Sequence, residues 1–167
     1  AATFDGLVRF DGVRFTVFNT ANSEALPSNR IVQLKEGRDG SLWLATEESH
    51  IARFRDGRFT NLTFENGKPG GELPILVIDS LGTVWVGTRE GLWTASGDRL
   101  VRVGRGVIDA RVSALLPRRD SVLLIGTDGA GIFRVDANRQ AAKVTTDPAI
   151  DAAFITRLVD DVSGVLW

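Results

Sequence analysis

The sequence contains no cysteine, no methionine and one histidine, His50, in 167 residues. The lack of cysteine excludes disulfides, thiolate metal sites and cysteine nucleophiles, and it suits an oxidising compartment. With one histidine, no multi-histidine metal site can form within a single chain, and a serine–histidine–aspartate triad has only His50 to use. Gly-x-Ser-x-Gly elbows, phosphate loops, dinucleotide fingerprints and calcium loops are all missing, so no cofactor and no metal are expected. Without methionine, the chain is expected to be processed or cut from something longer. Long apolar runs are missing as well: Leu73–Ile78 and Val122–Ile125 fall far short of a membrane span, and no signal peptide is visible. Nor is there an excess of either charge. Twenty basic residues meet 21 acidic ones, for a net charge of −1, which argues against a polyanion binder and so against a nucleic-acid partner. What is present is the composition of one folded domain, 43% hydrophobic and 25% charged.

Two motifs repeat along the chain. The first runs Asp39-Gly40-Ser41-Leu42-Trp43-Leu44-Ala45-Thr46, then Leu81-Gly82-Thr83-Val84-Trp85-Val86-Gly87-Thr88, then Asp120-Ser121-Val122-Leu123-Leu124-Ile125-Gly126-Thr127, and finally Ser163-Gly164-Val165-Leu166-Trp167. Its anchors Trp43, Trp85, Leu124 and Trp167 are spaced by 42, 39 and 43 residues. The second motif runs Gly6-Leu7-Val8-Arg9-Phe10, His50-Ile51-Ala52-Arg53-Phe54, Gly91-Leu92-Trp93-Thr94-Ala95 and Gly131-Ile132-Phe133-Arg134-Val135, spaced by 44, 41 and 40. Two motifs sharing one period are the signature of a repeat architecture.

Each unit reads as four short strands. In the second complete unit these are Pro74–Asp79, an apolar run, then Thr83–Thr88, rich in β-branched residues, then Gly91–Ala95 and Arg99–Val103. Leu81-Gly82 and Gly97-Asp98 supply turns, and Asp11-Gly12 and Asp56-Gly57 occupy the last turn of the flanking units. No segment keeps a capped 3.6-residue period. A four-stranded antiparallel meander that repeats every ~40–45 residues is a β-propeller blade. The fold expected is therefore all-β, a propeller segment of three complete blades and two half-blades: 1–18 trailing half, 26–63, 73–103 and 108–145 blades, 150–167 leading half. On this reading Trp43, Trp85 and Trp167 pack between blades, with Leu124 in the same place, and Gly87 and Gly126 permit close approach where the second strand ends.

Both ends fall inside a unit, which leaves complementary open edges. For the natural protein, a longer propeller is expected. A four-bladed ring and an eight-bladed ring made by half-blade exchange between two copies stay open as alternatives.

The paired motifs resemble the two-component regulator propeller repeat. The closest stretch is Asp39-Gly40, Leu42-Trp43, Ala45-Thr46, Ile51, Arg53-Phe54, Asp56-Gly57 and Phe59, and Gly6–Phe15 matches the trailing half. His50 replaces the usual glycine, Leu124 the tryptophan, and Ala137 the glycine after Asp136. The resemblance implies a periplasmic, often seven-bladed, ligand-sensing propeller of a membrane-anchored histidine kinase or diguanylate cyclase, non-catalytic itself, with a small-molecule or carbohydrate ligand. Membrane attachment would come only through other parts of such a protein.

Ligand contacts in a propeller come from loops at one mouth. Those loops are Glu47–His50, Arg89-Glu90 and Asp128–Ala130, with Ala21–Arg30, Glu65–Leu73, Arg105–Arg111 and Thr146–Ala152. The candidate ligand-binding residues are Arg30, Glu47, His50, Arg89, Glu90, Arg111 and Asp128, because arginine and carboxylate groups hydrogen-bond hydroxyls or clamp anions. A solvated rim is the structural alternative for each of them, and for His50 a turn position. Asp160-Asp161 reads as a turn rather than a metal site. Two other functional classes stand beside the sensor: a propeller lyase of the streptogramin-inactivating type, with His50 as its base, and a protein-interaction scaffold.

Overall fold

Short runs of β-branched and aromatic residues, cut by Gly and Asp turns, favour hairpins over helices. The computed structural model describes residues 1–67 and 73–167. Strands β1 (Ala2–Thr3), β2 (Gly6–Phe10) and β3 (Phe15–Phe18) form the first sheet. Two four-stranded meanders follow: β4 (Ile31–Glu36), β5 (Leu42–Thr46), β6 (Ile51–Arg55) and β7 (Arg58–Phe64), then β8 (Ile75–Ile78), β9 (Val84–Thr88), β10 (Gly91–Ser96) and β11 (Arg99–Val103). The last is β12 (Val112–Pro117), β13 (Leu123–Thr127), β14 (Ile132–Val135) and β15 (Ala141–Lys143). The Asp56-Gly57 hairpin has both residues at positive φ, 50° and 77°, the type I′ geometry that matches strand twist.

The sheets stack face to face in chain order. Trp43, Leu62 and Phe64 meet Leu76, Val86 and Trp93 of the next sheet. Trp85, Leu92 and Val103 meet Leu123, Ile125 and Phe133. Leu7 and Phe18 of the first sheet meet Ile31, Leu44 and Phe54, and Ala114, Leu124 and Ile132 meet Leu158. Every residue of β9 and β13 is buried, as a strand covered on both faces must be. A sheet that cannot bury both faces alone is thus sealed by its neighbours, the logic of a propeller. Where β9 ends, a Cβ on Gly87 would lie 2.5 Å from Val112 Cγ1; on Gly126 it would lie 2.5 Å from Ile155 Cγ2. What approaches these glycines is a side chain of the next unit, not its backbone.

The turn between first and second strands carries its own lock. Asp79 Oδ1 accepts the Leu81 and Thr83 amides at 2.9 and 2.8 Å, and its Oδ2 accepts the Trp85 indole N–H at 2.9 Å. Asp161 repeats this with the Ser163 and Val165 amides and the Trp167 indole. The turn needs one left-handed residue, supplied by Gly40, Gly82 and Gly164, and in the third unit by Ser121 at φ 62°. After Asp136 the left-handed residue is Arg139 at φ 62°, so Ala137 replaces the usual glycine without strain at its own position.

Five features depart from the expectation. Trp167, expected between blades, is 75% exposed because no described sheet lies over it. Residues 154–167, expected as two strands, hold isolated bridges, Asp128↔Phe154 and Asp160↔Leu166. A one-turn helix, α1 (Pro148–Asp151), capped by Asp147, precedes them, since proline at the first helical position with an aspartate cap favours a turn of helix. The first sheet does not open at the third strand, because β1 pairs with β2 ahead of it. Finally, β7 overruns its hairpin and pairs in parallel with β11 (Thr63↔Arg99, Phe64↔Leu100), which merges the two meanders into one eight-stranded sheet.

Candidate functional site

The turn from second to third strand is built around a buried threonine. Thr88 Oγ1 donates to Gly91 O and accepts the Trp93 indole N–H at 3.1 Å; Thr127 Oγ1 donates to Gly131 O at 2.6 Å. Thr3 Oγ1 donates to Gly6 O at 2.8 Å, so β1 is the end of a second strand. In the first complete unit Thr46 Oγ1 accepts the His50 amide at 3.2 Å, and His50 Nδ1 lies 3.5 Å from that hydroxyl and 3.9 Å from Glu48. His50 is therefore half-buried at a turn, immediately before β6.

The Thr46 and Thr127 clamps hold the next residue against the residue that enters the inner strand. The Glu47 amide donates to Arg30 O and the Asp128 amide to Arg111 O, both at 3.0 Å. The side chains pair as well: the Arg30 Nε bonds the Glu47 carboxylate, and Arg111 Nη1 lies 3.7 Å from Asp128 Oδ2. Each guanidinium also covers an aromatic ring, Arg30 over Phe4 at 4.9 Å and Arg111 over Phe154 at 5.4 Å. These two arginine–carboxylate pairs thus hold together four of the seven candidate residues. Arg89 and Glu90 are exposed in the tighter Thr88–Gly91 turn. Of the Glu65–Leu73 loop, 68–72 lie outside the described residues.

A cleft of about 1270 Å³ lies elsewhere, and none of the seven candidates lines it. Its walls are β12 with the turn after it and residues 156–164. Ser113 donates to Ile155 O at 2.6 Å at one end. At the other end, Arg118 Nε meets Asp160 Oδ2 at 2.9 Å, and Asp160 Oδ1 is buried without a partner among the described residues. Exposed Arg119 and Arg157 flank the opening. Leu115, Leu116 and Pro117 supply an apolar wall. An apolar wall with a few convergent polar groups suits a small polar molecule.

Sequence reading missed this cleft. Asp160-Asp161 does enter the turn, and its acceptor is Asp161, which the Ser163 hydroxyl, the Trp167 indole and the Val165 amide hold well below the usual carboxylate range. One signal was available: Arg118 occupies the repeat position that Asp79 and Asp161 hold elsewhere.

Residues 25–48 match the profile of the family described as two component regulator propeller. No curated protein sequence matches the chain significantly. Among solved structures, the fold is similar to the extracellular domain of a presumed hybrid two component system, BT3049 from B. thetaiotaomicron, at 20% identity and a TM-score of 0.70, over 98% of this chain and 22% of that one. It is similar to the extracellular domain of BT4673 from the same organism, at 19% identity and a TM-score of 0.70, over 99% of this chain and 24% of that one. Virginiamycin B lyase from Staphylococcus aureus aligns at 14% identity and a TM-score of 0.63, over 89% of this chain and 52% of that one. The chain thus spans under a quarter of those two extracellular-domain chains. It is an arc of β-propeller, and residues 25–48 within it are similar to the two component regulator propeller repeat.

Proposed function

We propose that this arc belongs to the ligand-sensing, extracytoplasmic propeller of a membrane-anchored bacterial signalling protein, and that it is itself non-catalytic. The observation that carries the reading is the repeat match at residues 25–48, on a fold shared with extracellular domains of two component systems. The cleft between β12 and residues 156–164 supports a small polar ligand, with a carbohydrate among the fitting classes, held by Arg118, Asp160 and Ser113. Reading the gene on either side of this segment tests the assignment: a membrane helix and a kinase or cyclase module in the same frame are expected. A complete gene with neither overturns it.

The lyase neighbour favours a second reading, a propeller enzyme with His50 as its base. Against it, His50 is held at a turn by Thr46 and lies outside the cleft. Incubating candidate ligands with the protein and following them by NMR separates the two. Binding without conversion supports the sensor; conversion that disappears in His50→Ala supports the enzyme.

A further inference from the structure

The first strands of the three complete blades, β4, β8 and β12, each pair on one side only, with β5, β9 and β13. Their other backbone edge is free of the sheet. Bonds in an antiparallel ladder alternate, so every second residue turns its N–H and C=O toward that free edge. The Asp79 amide bonds Thr83 O and the Arg118 amide bonds Val122 O, which fixes the alternation. Leu76 of β8 and Leu115 of β12 are therefore outward residues, at the same place in their units.

On β8 this edge is filled from within the chain. The Gln33 side chain reaches across from β4: its Oε1 accepts the Leu76 amide and its Nε2 donates to Pro74 O, both at 2.9 Å. A primary carboxamide suits the place because it offers an acceptor and a donor on one side, the complement of a strand edge. One unit on, Ile75 stands where Gln33 stands, four residues before the turn residue Asp79 as Gln33 is before Gly37. Its side chain has neither group. The Leu115 amide has no hydrogen-bond partner among the described residues. Ile75, Ser113 and Leu115 instead line the cleft. Pro117, the next outward residue, carries no N–H, so Leu115 supplies the last donor of this edge.

We propose that this part of the cleft binds a small molecule through an amide whose N–H and C=O lie on the same side. The amide oxygen accepts the Leu115 N–H and its N–H donates to Ser113 O, as Gln33 does with Leu76 and Pro74. A primary carboxamide has this form, and so does an amide held in a ring. An acetamido group does not, because a trans amide points its N–H and C=O in opposite directions. The rest of the molecule lies toward Arg118 and Asp160, which hydrogen-bond its polar substituents. The inference rests on the cleft being the ligand site.

Titrating the protein with glutamine, uridine and N-acetylglucosamine, followed by amide NMR, tests it. Glutamine carries the primary carboxamide and uridine the ring amide, while the sugar carries hydroxyls and a trans amide. Glutamine or uridine is expected to bind with a Kd on the order of 1 mM, about tenfold tighter than the sugar, and the better of the two identifies the source. The Leu115 amide shifts and exchanges more slowly with solvent as that ligand binds. Ile75→Gln supplies the carboxamide from the chain itself, so it weakens binding by about tenfold or more while the melting temperature holds or rises. Should that variant fail to fold, the Leu115 exchange rate decides. The proposal is overturned if neither amide binds, if Leu115 is unaffected, or if Ile75→Gln leaves affinity unchanged. Sugar bound as tightly as the amides also overturns it, and leaves the cleft standing as a ligand site.

Discussion

Removing the Asp79 carboxylate strands a buried indole. Asp79 accepts three N–H groups, from Leu81, Thr83 and Trp85. In Asp79→Ala the Leu81 amide regains water, since Leu81 is 62% exposed. The Trp85 indole does not, because Trp85 is 5% exposed and packed against the next blade. A buried donor left unpaired costs about 1–3 kcal/mol, and hydrogen bonds to a charged group contribute about 1.5–3 kcal/mol. These are two measures of the same loss, so Asp79→Ala is expected to cost about 2–3 kcal/mol. Trp85→Leu removes ring volume from the same cluster and costs about 2–3 kcal/mol, below the Trp→Ala range. The double variant has no indole to strand, so it loses about 1–2 kcal/mol less than the two single losses combined. The third unit already has this pairing, with Leu124 for the tryptophan and Arg118 for the aspartate. Urea denaturation of the four proteins, followed by far-UV circular dichroism, measures the coupling. Single losses that add to within about 0.5 kcal/mol would refute the lock.

Gly87→Ala places a methyl 2.5 Å from Val112 Cγ1 and is expected to cost about 1–3 kcal/mol in urea denaturation, as overpacking does; an unchanged midpoint would show that the blades yield freely. Ser121→Gly relieves a left-handed serine at φ 62° and should stabilise by about 0.5 kcal/mol net of the added freedom of the unfolded chain, read as a raised melting temperature. Stability should also fall in acid. Asp161 is held low chiefly by the Ser163 hydroxyl and Asp39 by the Ser41 hydroxyl, so both folded values lie below the ordinary 3.8. Below that pH the unfolded chain takes up protons that the folded one refuses, so stability is complete above about pH 5 and declines as the pH falls through the folded values. Melting temperatures followed from neutral pH to strong acid should show this decline, with a shallower slope in Asp161→Asn.

Much of the architecture was written in local chemistry. The spacing of Trp43, Trp85, Leu124 and Trp167 marks the second strands, and the Asp56-Gly57 turn takes the geometry its residue types favour. In the second complete unit the sequence pattern places strands at Pro74–Asp79, Thr83–Thr88, Gly91–Ala95 and Arg99–Val103, and they lie at Ile75–Ile78, Val84–Thr88, Gly91–Ser96 and Arg99–Val103. The candidate site was read far less well. The turn positions of Arg30, Glu47, Arg111 and Asp128 are legible because loops repeat with the blades. The Arg118–Asp160 pair is not, because Arg118 stands where Asp79 and Asp161 stand in other units, and its partner lies one whole unit away along the chain.

By itself, the sequence determined the repeating unit, its hairpins and the face each strand must bury. These follow from alternation, turn propensity and hydrogen bonds made between near neighbours along the chain. Only the tertiary structure decided the rest: that β7 reaches β11, that a cleft opens beside β12, and that Trp167 stands in solvent while Trp43 and Trp85 are buried. The three tryptophans share one local motif, a glycine three residues ahead and an apolar residue just before the ring. Their burial differs because it depends on whether another sheet lies over them, and nothing within one repeat encodes its neighbour.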